Sequence, residues 1–292
     1  MKLYAPQYYK DFRCIADRCR HSCCIGWEID VDEDTLAYYR ALPAPLSDEI
    51  LGGIVTGEEG AHFALCANGR CPNLDERGLC RIISALGEEA LCDICREHPR
   101  FYHETDRDEV GLGAACEAAA TLILSRDDYA DFVCVAEDES LCVPTTAFDA
   151  RGEREALYIT LSQRAEPLAL RLLKIVSRYG ERAVSETIFA QIEYLDESHR
   201  ALFVDTAQSL LPLSSLQAPE CERFLAYLVY RHASPSLCEE QFARAVRFSL
   251  LLTRLFATLW QKGLNPVSAA VAISEEIDYS EENTRTLLLA ME

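Results

Sequence analysis

Residues 14–30 of the chain read CIADRCRHSCCIGWEID, and this stretch decides how the front of the protein is interpreted. It places four thiols, at Cys14, Cys19, Cys23 and Cys24, within eleven residues. Thiolates are soft ligands that favour zinc and iron–sulfur clusters over magnesium or calcium. Because neighbouring side chains point in different directions on a helix or a strand, Cys23 and Cys24 are not expected to bind one metal together. Either one binds metal while the other packs, or each serves its own site.

The same thiol chemistry continues further along the chain. Cys92 and Cys95 form a C-x2-C pair, but Cys92 lies on a predicted helix that can simply bury it. His21 is an alternative ligand beside the first cluster, and the thiols suffice for two four-ligand sites without a unique pairing. The predicted metal ligands are Cys14, Cys19, Cys23, Cys24, Cys71, Cys80, Cys95 and Cys116. The cysteines without close partners are interpreted as small buried hydrophobic residues: Cys66, Cys134, Cys142, Cys221 and Cys238.

The cysteine content also bears on the compartment. Of the 292 residues, 14 are cysteine, and most of these precede Val143. The first residues, MKLYAPQYYKDFRC, lack the apolar core of a signal peptide, and the longest apolar run, 250–260, is interrupted by Arg254. We therefore expect a cytoplasmic protein with no membrane-spanning segment. In a reducing compartment, clustered thiols more often bind metal than form disulfides, so a disulfide framework would need an oxidising one.

Composition and charge narrow the class of protein. Hydrophobic residues make up 49% of the chain and charged residues 26%, which are globular proportions. The chain carries 48 acidic and 28 basic residues, a formal charge of −20. This balance argues against binding to nucleic acid or to an anionic membrane, both of which require clustered Lys and Arg. It suits a cationic partner, such as a lysine side chain or a sulfonium cofactor.

The two parts of the chain differ in texture, and the predicted fold class is mainly α. We predict a cysteine-rich, metal-stapled domain over 1–142 and an α-helical domain over 153–292, joined by the loop VPTTAFDARG at 143–152. The first domain contains short elements interrupted by Gly and Pro. Strands are predicted at 25–31 and 61–65, and helices at 34–41, 84–96 and 114–125.

Helical periodicity is clearer in the second domain, where an α-helical bundle is predicted. A helix that ends near Gly263 carries apolar residues at three- and four-residue spacing, and Ser236 with Glu239 resembles a capping box at its start. Its apolar face is Phe242, Ala245, Val246, Ser249, Leu250, Thr253, Phe256 and Trp260. The other predicted helices span 153–178, 182–195, 200–211, 220–232, 266–277 and 281–291.

Taken together, these motifs resemble the flagellin lysine-N-methylase family, called FliB. The family shares its cysteine signature with small proteins proposed to chelate zinc or iron. The resemblance covers nearly the whole chain, and the cysteine spacing with CCIGWEID is its specific part. The matching segments are FRC at 12–14, Cys19, CCIGWEID at 23–30, GRCPNL at 69–74, Cys80, CREHPR at 95–100, ACEAA at 115–119 and EIDYSEEN at 276–283.

The resemblance implies an activity that composition and spacing do not show. Members of the family resemble enzymes that transfer a methyl group from S-adenosylmethionine to lysine ε-amines of flagellin. It implies a [4Fe–4S] cluster on the cysteines, with zinc as the alternative, and flagellin as the partner. The chain departs from the family pattern at Glu117, where a proline is expected, and at His98, where an aromatic residue is expected. Both departures retain every thiol and leave the exact substrate more open.

A site for the methyl donor is not evident from the sequence. The one Gly-rich candidate, 111–113, follows the polar run 104–109 instead of an apolar strand, so it is interpreted as a plain turn. Cys19-x3-Cys23 begins a radical S-adenosylmethionine motif, but Gly26 stands where the third cysteine belongs. Cofactor-binding and catalytic residues are therefore left unassigned.

Several residues are candidates for contact with substrate, each beside a structural alternative. Tyr102, His103 and Glu104 follow the CREHPR segment and equally describe a solvated loop. Glu276 and Asp278 could neutralise an amine or begin a helix, and Trp27 could stack on a cofactor or cover the metal. The alternative functions are a non-catalytic zinc- or iron-binding protein, as a chelator or scaffold, and a redox sensor built on Cys23-Cys24.

Overall fold

The fold is taken from a computed structural model that describes residues 2–57, 60–137 and 148–292. About 53% of the chain is helix and 13% is strand. The strands are β1 Lys2–Pro6, β2 Ile29–Val31, β3 Ile54–Gly57, β4 Gly60–Phe63, β5 Arg100–Glu104, β6 Asp108–Leu112 and β7 Phe132–Glu137. The helices are α1 Glu33–Ala41, α2 Leu46–Leu51, α3 Arg81–Leu86, α4 Asp93–Glu97, α5 Glu117–Ser125, α6 Ala150–Leu161, α7 Leu168–Tyr179, α8 Thr187–Gln191, α9 Glu197–Ala207, α10 Pro219–Ala233, α11 Glu239–Gln261, α12 Pro266–Ile273 and α13 Glu281–Leu289.

The chain divides into two compact units. Unit 1 consists of Met1–Phe12 with Arg100–Glu292, and unit 2 is Arg13–Pro99. These divisions differ from the boundary predicted at 143–152, of which residues 143–147 lie outside the described part, as does Cys142. The reason is that β1 pairs with β6 and β7, more than a hundred residues away, which places the N-terminus in unit 1.

Unit 1 combines a small mixed sheet with the helices. The sheet has the order β5-β6-β1-β7, in which β1 runs parallel to β6 and antiparallel to β7. Helix α5 follows β6 and leads to β7, so it joins two strands that run in opposite directions. This connection differs from the βαβ unit of dinucleotide-binding folds, whose strands are parallel.

Gly111 and Leu112 belong to the buried strand β6, so the interpretation of 111–113 as a plain turn is wrong for these two residues. Gly111 pairs with Phe101, and a Cβ atom built on it would lie 2.2 Å from the Phe101 ring. The preceding polar run hid this strand, because Asp108 and Glu109 are buried in spite of their charge.

The helical bundle predicted for the C-terminal region is confirmed, with α10 and α11 packed at its centre. Its element boundaries need correction. The predicted helix 153–178 is interrupted before Leu168, where Pro167 precedes α7, and α8 covers only five residues of the predicted 182–195. Cys238 rather than Ser236 immediately precedes α11, which has no side-chain cap, so the predicted capping box is wrong.

Unit 2 is built on a three-stranded antiparallel sheet in the order β2-β4-β3. Ile29 and Val31 of β2 point into its core, whereas Asp30 between them is exposed, as strand alternation requires. The predicted helix 84–96 is two short helices, α3 and α4, because Gly87 ends the first with a φ of 94°. The other predicted elements of unit 2 lie within a few residues of β2, β4 and α1.

Candidate metal centre

Five cysteines gather in the hydrophobic core of unit 2, and they are the basis of the candidate site. Cys71 and Cys92 are buried with Ile29, Tyr39 and Phe63. Three more thiols pack against this core. These are Cys24, Cys80 and Cys95.

A turn at residues 22–25 and a backbone hydrogen bond between two loops bring Cys24 and Cys71 together. The amide of Ile25 donates to the carbonyl of Ser22 (3.1 Å), which closes a turn with Cys23 and Cys24 at its centre. At the end of this turn, the carbonyl of Cys24 accepts a hydrogen bond from the amide of Cys71 at 2.8 Å. The CCIGW and GRCPNL segments, which are separated in sequence, are thus paired backbone to backbone.

A closed loop then places Cys80 near Cys71. Asp75 organises the loop, since its Oδ1 accepts from the amides of Arg77 and Leu79, both at 2.9 Å. The amide of Arg81 donates to the carbonyl of Asn73 at 2.8 Å, which returns the chain beside its start. Cys80 therefore stands directly before α3.

The last two thiols lie at the start of α4. Cys92 is only 1% exposed and immediately precedes this helix, and its thiol hydrogen-bonds to that of Cys95 one turn later. The backbone around them is anchored to α1. The Tyr39 hydroxyl donates to the carbonyl of Ala90 (2.7 Å), and the Asp93 amide donates to Asp32 Oδ2 (3.0 Å).

The thiols influence each other's ionisation in two pairs. A hydrogen bond from Cys23 lowers the pKa of Cys24 to about 7, and one from Cys95 lowers the pKa of Cys92. The same bond, together with burial, raises the pKa of Cys95. In each pair the hydrogen bond from one thiol therefore favours the ionised form of the other.

For Cys71 and Cys80, the other two thiols of this core, burial outweighs hydrogen bonding and disfavours ionisation. It raises the pKa of Cys71 to about 11 and also raises the pKa of Cys80. Further charge in this core requires a compensating cation, because a buried thiolate is otherwise disfavoured. A bound metal ion would supply that charge and displace the protons.

The remaining predicted ligands have other surroundings. Cys14 Sγ accepts from the amide of Ala16 at 3.4 Å, and the Cys19 thiol donates to the carbonyl of His21 at 3.1 Å. Cys23 is exposed, and Cys116 belongs to unit 1, where it immediately precedes α5. Across 2–57, 60–137 and 148–292, no three Cys, His, Asp or Glu side chains surround one point closely enough to hold an ion.

The donor atoms are soft thiol sulfurs, which is the donor type that zinc and iron–sulfur clusters prefer, but in the described residues they do not converge on one point. No disulfide joins any cysteine in the described part of the chain. Of the cysteines interpreted as buried hydrophobic residues, Cys221 is buried and Cys134 is half-buried. Cys66 and Cys238 are exposed, so that interpretation is wrong for them.

The candidate substrate carboxylates of the C-terminal motif are occupied by protein donors. Glu276 accepts from the amides of Leu195 (2.7 Å) and Asp196 (3.1 Å) and lies 2.7 Å from His199 Nδ1. Asp278 is buried against Arg231 and other donors of unit 1. These contacts support the structural alternative considered for both residues.

Comparison with known proteins identifies relatives of this chain. Over 134 residues, 42% of this chain, it is 34% identical to lysine-N-methylases of Salmonella choleraesuis and Salmonella typhimurium, and this covers 32% of each. Over the same length it is 33% identical to the flagellar biosynthetic protein FliU of Salmonella muenchen, of which it covers 77%. The chain belongs to the FliB family. The resemblance inferred from the sequence is thereby confirmed at the level of the family.

The FliB-family match has limits of coverage. The chain spans about a third of the length of the two lysine-N-methylases that it matches. No family model and no solved structure matches it. Within the described part of this FliB-family chain, no helix has both the length and the apolar composition needed to cross a bilayer.

Cys92 is absent from the ligands that the sequence predicts for this FliB-family protein, although its spacing carries a signal. The C-x2-C spacing with Cys95 is the spacing that places two thiols on one side of a helix start. The structure puts Cys92 in the same core as Cys71, Cys80 and Cys95. Its burial, which had favoured the packing interpretation, is shared by Cys71, a predicted ligand.

Proposed function

We propose that the chain is an S-adenosylmethionine-dependent methyltransferase that acts on lysine ε-amines of flagellin. The observation that carries this proposal is the 34% identity to two lysine-N-methylases. The name of the third relative, a flagellar biosynthetic protein, supports flagellin as the substrate. The formal charge of −20 suits both a lysine-bearing target and a sulfonium donor.

Methyl transfer to an amine requires a deprotonated nitrogen that is held in line with the methyl carbon of the donor. Such alignment alone can contribute about 7–11 kcal/mol to catalysis. The catalytic group remains unassigned, because the carboxylates of Glu276 and Asp278 already bind protein donors.

We propose further that thiols of unit 2 hold a metal centre, a [4Fe–4S] cluster with zinc as the alternative. Cys24, Cys71, Cys80 and Cys95 are the predicted ligands that share one core, and Cys14, Cys19, Cys23 and Cys116 remain predicted ligands. A bound metal would cross-link the loops of unit 2 and stabilise its thiolates. The role of the chain's own residues is to present soft donors, of which Cys71 is buried from water.

The experiment is methyl transfer by protein purified without oxygen. Labelled S-adenosylmethionine and flagellin are supplied, methyl-lysine is counted by mass spectrometry, and metal is measured on the same sample. We expect methyl-lysine on flagellin, with loss of metal in Cys24→Ser. Cys134→Ser, which changes a half-buried thiol of unit 1, serves as the matched control and should retain metal. Absence of methyl-lysine with metal intact and donor bound would overturn the proposed activity.

A second candidate is a non-catalytic metal protein. It is favoured by the connection of β6 to β7 through α5, which lacks the parallel strands of a dinucleotide-binding fold. Titration calorimetry with S-adenosylmethionine separates the two candidates. Metal content without any binding of the donor would support the non-catalytic function.

A further inference from the structure

The C-terminal motif EIDYSEEN contains an uncommon turn whose carboxylate is fully buried. After α12 the backbone forms a π-helical turn over Ser274–Asp278, a geometry that is often associated with functional sites. Ser274 donates to Asp278 Oδ2 at 2.7 Å, and His232 Nε2 lies 2.7 Å from Oδ1. Arg231 pairs with the same carboxylate and also donates to the Asp278 carbonyl at 3.1 Å. These contacts over-determine the position of Asp278.

One contact leads away from this cluster to another motif. The Tyr227 hydroxyl donates to Asp278 Oδ2 and accepts from the amide of Ala114 at 3.0 Å. A buried tyrosine on α10 therefore links the C-terminal motif to Ala114, the residue immediately before the ACEAA segment. Because Tyr227 is 2% exposed, solvent does not compete for this link.

A second contact, from Tyr279, the next residue of the motif, reaches Gly113, which directly precedes Ala114. A Cβ atom built on Gly113 would lie 2.0 Å from the Tyr279 hydroxyl oxygen, so Tyr279 occupies the space that a side chain at 113 would need. Arg231 lies over the Tyr279 ring at 4.6 Å from its centre, which couples this tyrosine to the Asp278 cluster. Within the turn from Gly113 to Cys116, Tyr279 therefore contacts Gly113 and Tyr227 contacts Ala114.

Glu276, another carboxylate of the motif, contacts a different part of unit 1. Glu276 binds the amides before α9, and Asn283 binds Glu193 through its side-chain amide at 2.7 Å. Neither of these contacts reaches residues 113–116. Glu276 and Asp278 therefore have separate contacts, and of these two only Asp278 is linked, through Tyr227, to the turn before Cys116.

We infer that Asp278 is a positioning residue that, through Tyr227 and Tyr279, fixes the turn carrying the Cys116 thiol. This inference rests on the proposed function in so far as Cys116 is a proposed metal ligand. Cys116 follows Ala114 by two residues, stands at the start of α5 and interacts electrostatically with Tyr279. The inference thereby connects Asp278 and Tyr279 of EIDYSEEN with Cys116 of ACEAA, about 160 residues away in the chain.

The test measures how fast individual cysteines react with iodoacetamide in the intact chain, by mass spectrometry at one pH. Tyr227→Phe removes the link between Asp278 and Ala114 without leaving a charge unpaired, and Gly113→Ala displaces Tyr279. Loss of one hydrogen bond corresponds to about a fivefold change in local opening. We expect the rate at Cys116, divided by the rate at buried Cys221 of the same unit, to rise about fivefold in Tyr227→Phe and to rise in Gly113→Ala as well.

The control is Tyr158→Phe, which removes a hydroxyl that donates to the carbonyl of Ala226 on α10 at 2.8 Å. This variant loses a similar buried bond but does not touch residues 113–116, so its ratio should stay at the wild-type value. An unchanged ratio in Tyr227→Phe and Gly113→Ala, or an equal rise in Tyr158→Phe, would overturn the inference. Because neither methyl transfer nor metal content is the readout, failure of the proposed function is recognised separately.

Discussion

At the scale of single residues, buried charges of unit 1 form ion pairs, as Arg154 and Glu109 show. Arg154 is 1% exposed and Glu109 is 2% exposed, and their side chains form two hydrogen bonds of 2.6 and 2.8 Å. Although burial opposes ionisation, Arg154 holds the pKa of Glu109 below its usual range. The end of a polar run, Asp108 and Glu109, therefore begins a buried strand, because Glu109 meets the guanidinium of Arg154 only in the folded chain.

His103 in the neighbouring strand β5 leads to a prediction about pH. It lies between the rings of Phe101 and Tyr230, and its Nε2 is 3.1 Å from the Tyr230 carbonyl, to which a neutral ring can donate. Burial lowers the pKa of His103 to about 4. As the pH falls from about 6.5 to 4, the unfolded chain binds a proton that the folded chain excludes. The stability of unit 1 should therefore fall by about 3 kcal/mol from this residue alone.

His103→Gln can retain a donor to the Tyr230 carbonyl but does not titrate. In urea unfolding at pH 7 and pH 4, we expect the wild type to lose about 3 kcal/mol more than this variant. Equal losses in the two proteins would show that His103 is not held neutral by burial.

At the scale of elements, Asp32 connects two helices of unit 2. Its Oδ1 accepts from the amide of Thr35 at 2.8 Å and caps α1, while its Oδ2 accepts from the amide of Asp93 at the start of α4. The sequence predicts α1 to within a residue, since the acidic start and apolar spacing are local. It does not predict the contact with α4, which lies 61 residues away.

Asp32→Ala should therefore loosen both helices. Loss of a helix cap costs about 1 kcal/mol, and loss of the second bond a similar amount, so unit 2 should lose about 2 kcal/mol. Hydrogen exchange should accelerate at the amides of α1 and α4 together. Asp149→Ala, which removes the cap of α6 alone, is the control and should affect one helix. Unchanged exchange in α4 of Asp32→Ala would contradict the proposed connection.

At the scale of the whole molecule, the two units differ in what stabilises them. The core of unit 1 includes Phe224, Phe248 and Leu252, and many further side chains of α10 and α11 that are fully buried. The core of unit 2 is much smaller and includes thiols among its members. A small core commonly needs a cross-link or a metal to be stable.

Removal of metal should consequently affect one unit. If thiols of unit 2 bind a metal, treatment with a chelator should accelerate hydrogen exchange across Arg13–Pro99 by at least about tenfold, because metal-binding free energy contributes to folding. The amides of α10 and α11 should keep their wild-type rates. Equal acceleration in both units, or none in either, would contradict the proposed metal centre.

The limits of sequence reasoning are visible in particular residues. The apolar spacing around Val246 and Leu250 predicts α11 correctly, because helix formation depends on neighbours three and four positions apart. The sheet of unit 1 was not predicted, because β1 finds its partners near residues 108 and 137. The predicted burial of Cys92 favours a packing role, whereas the structure places this thiol in one core with the predicted ligands Cys71, Cys80 and Cys95.

The sequence by itself determined the helical C-terminal region, the clustering of cysteines in the first half of the chain and the resemblance to the FliB family, all of which depend on local pattern. Only the tertiary structure decided which thiols share a core and where the chain divides. It also decided that Tyr227 links Asp278 to the turn that precedes Cys116. The physical reason is that these contacts join residues far apart in the chain, whose proximity arises from strand pairing and burial and leaves no periodic signal in the sequence.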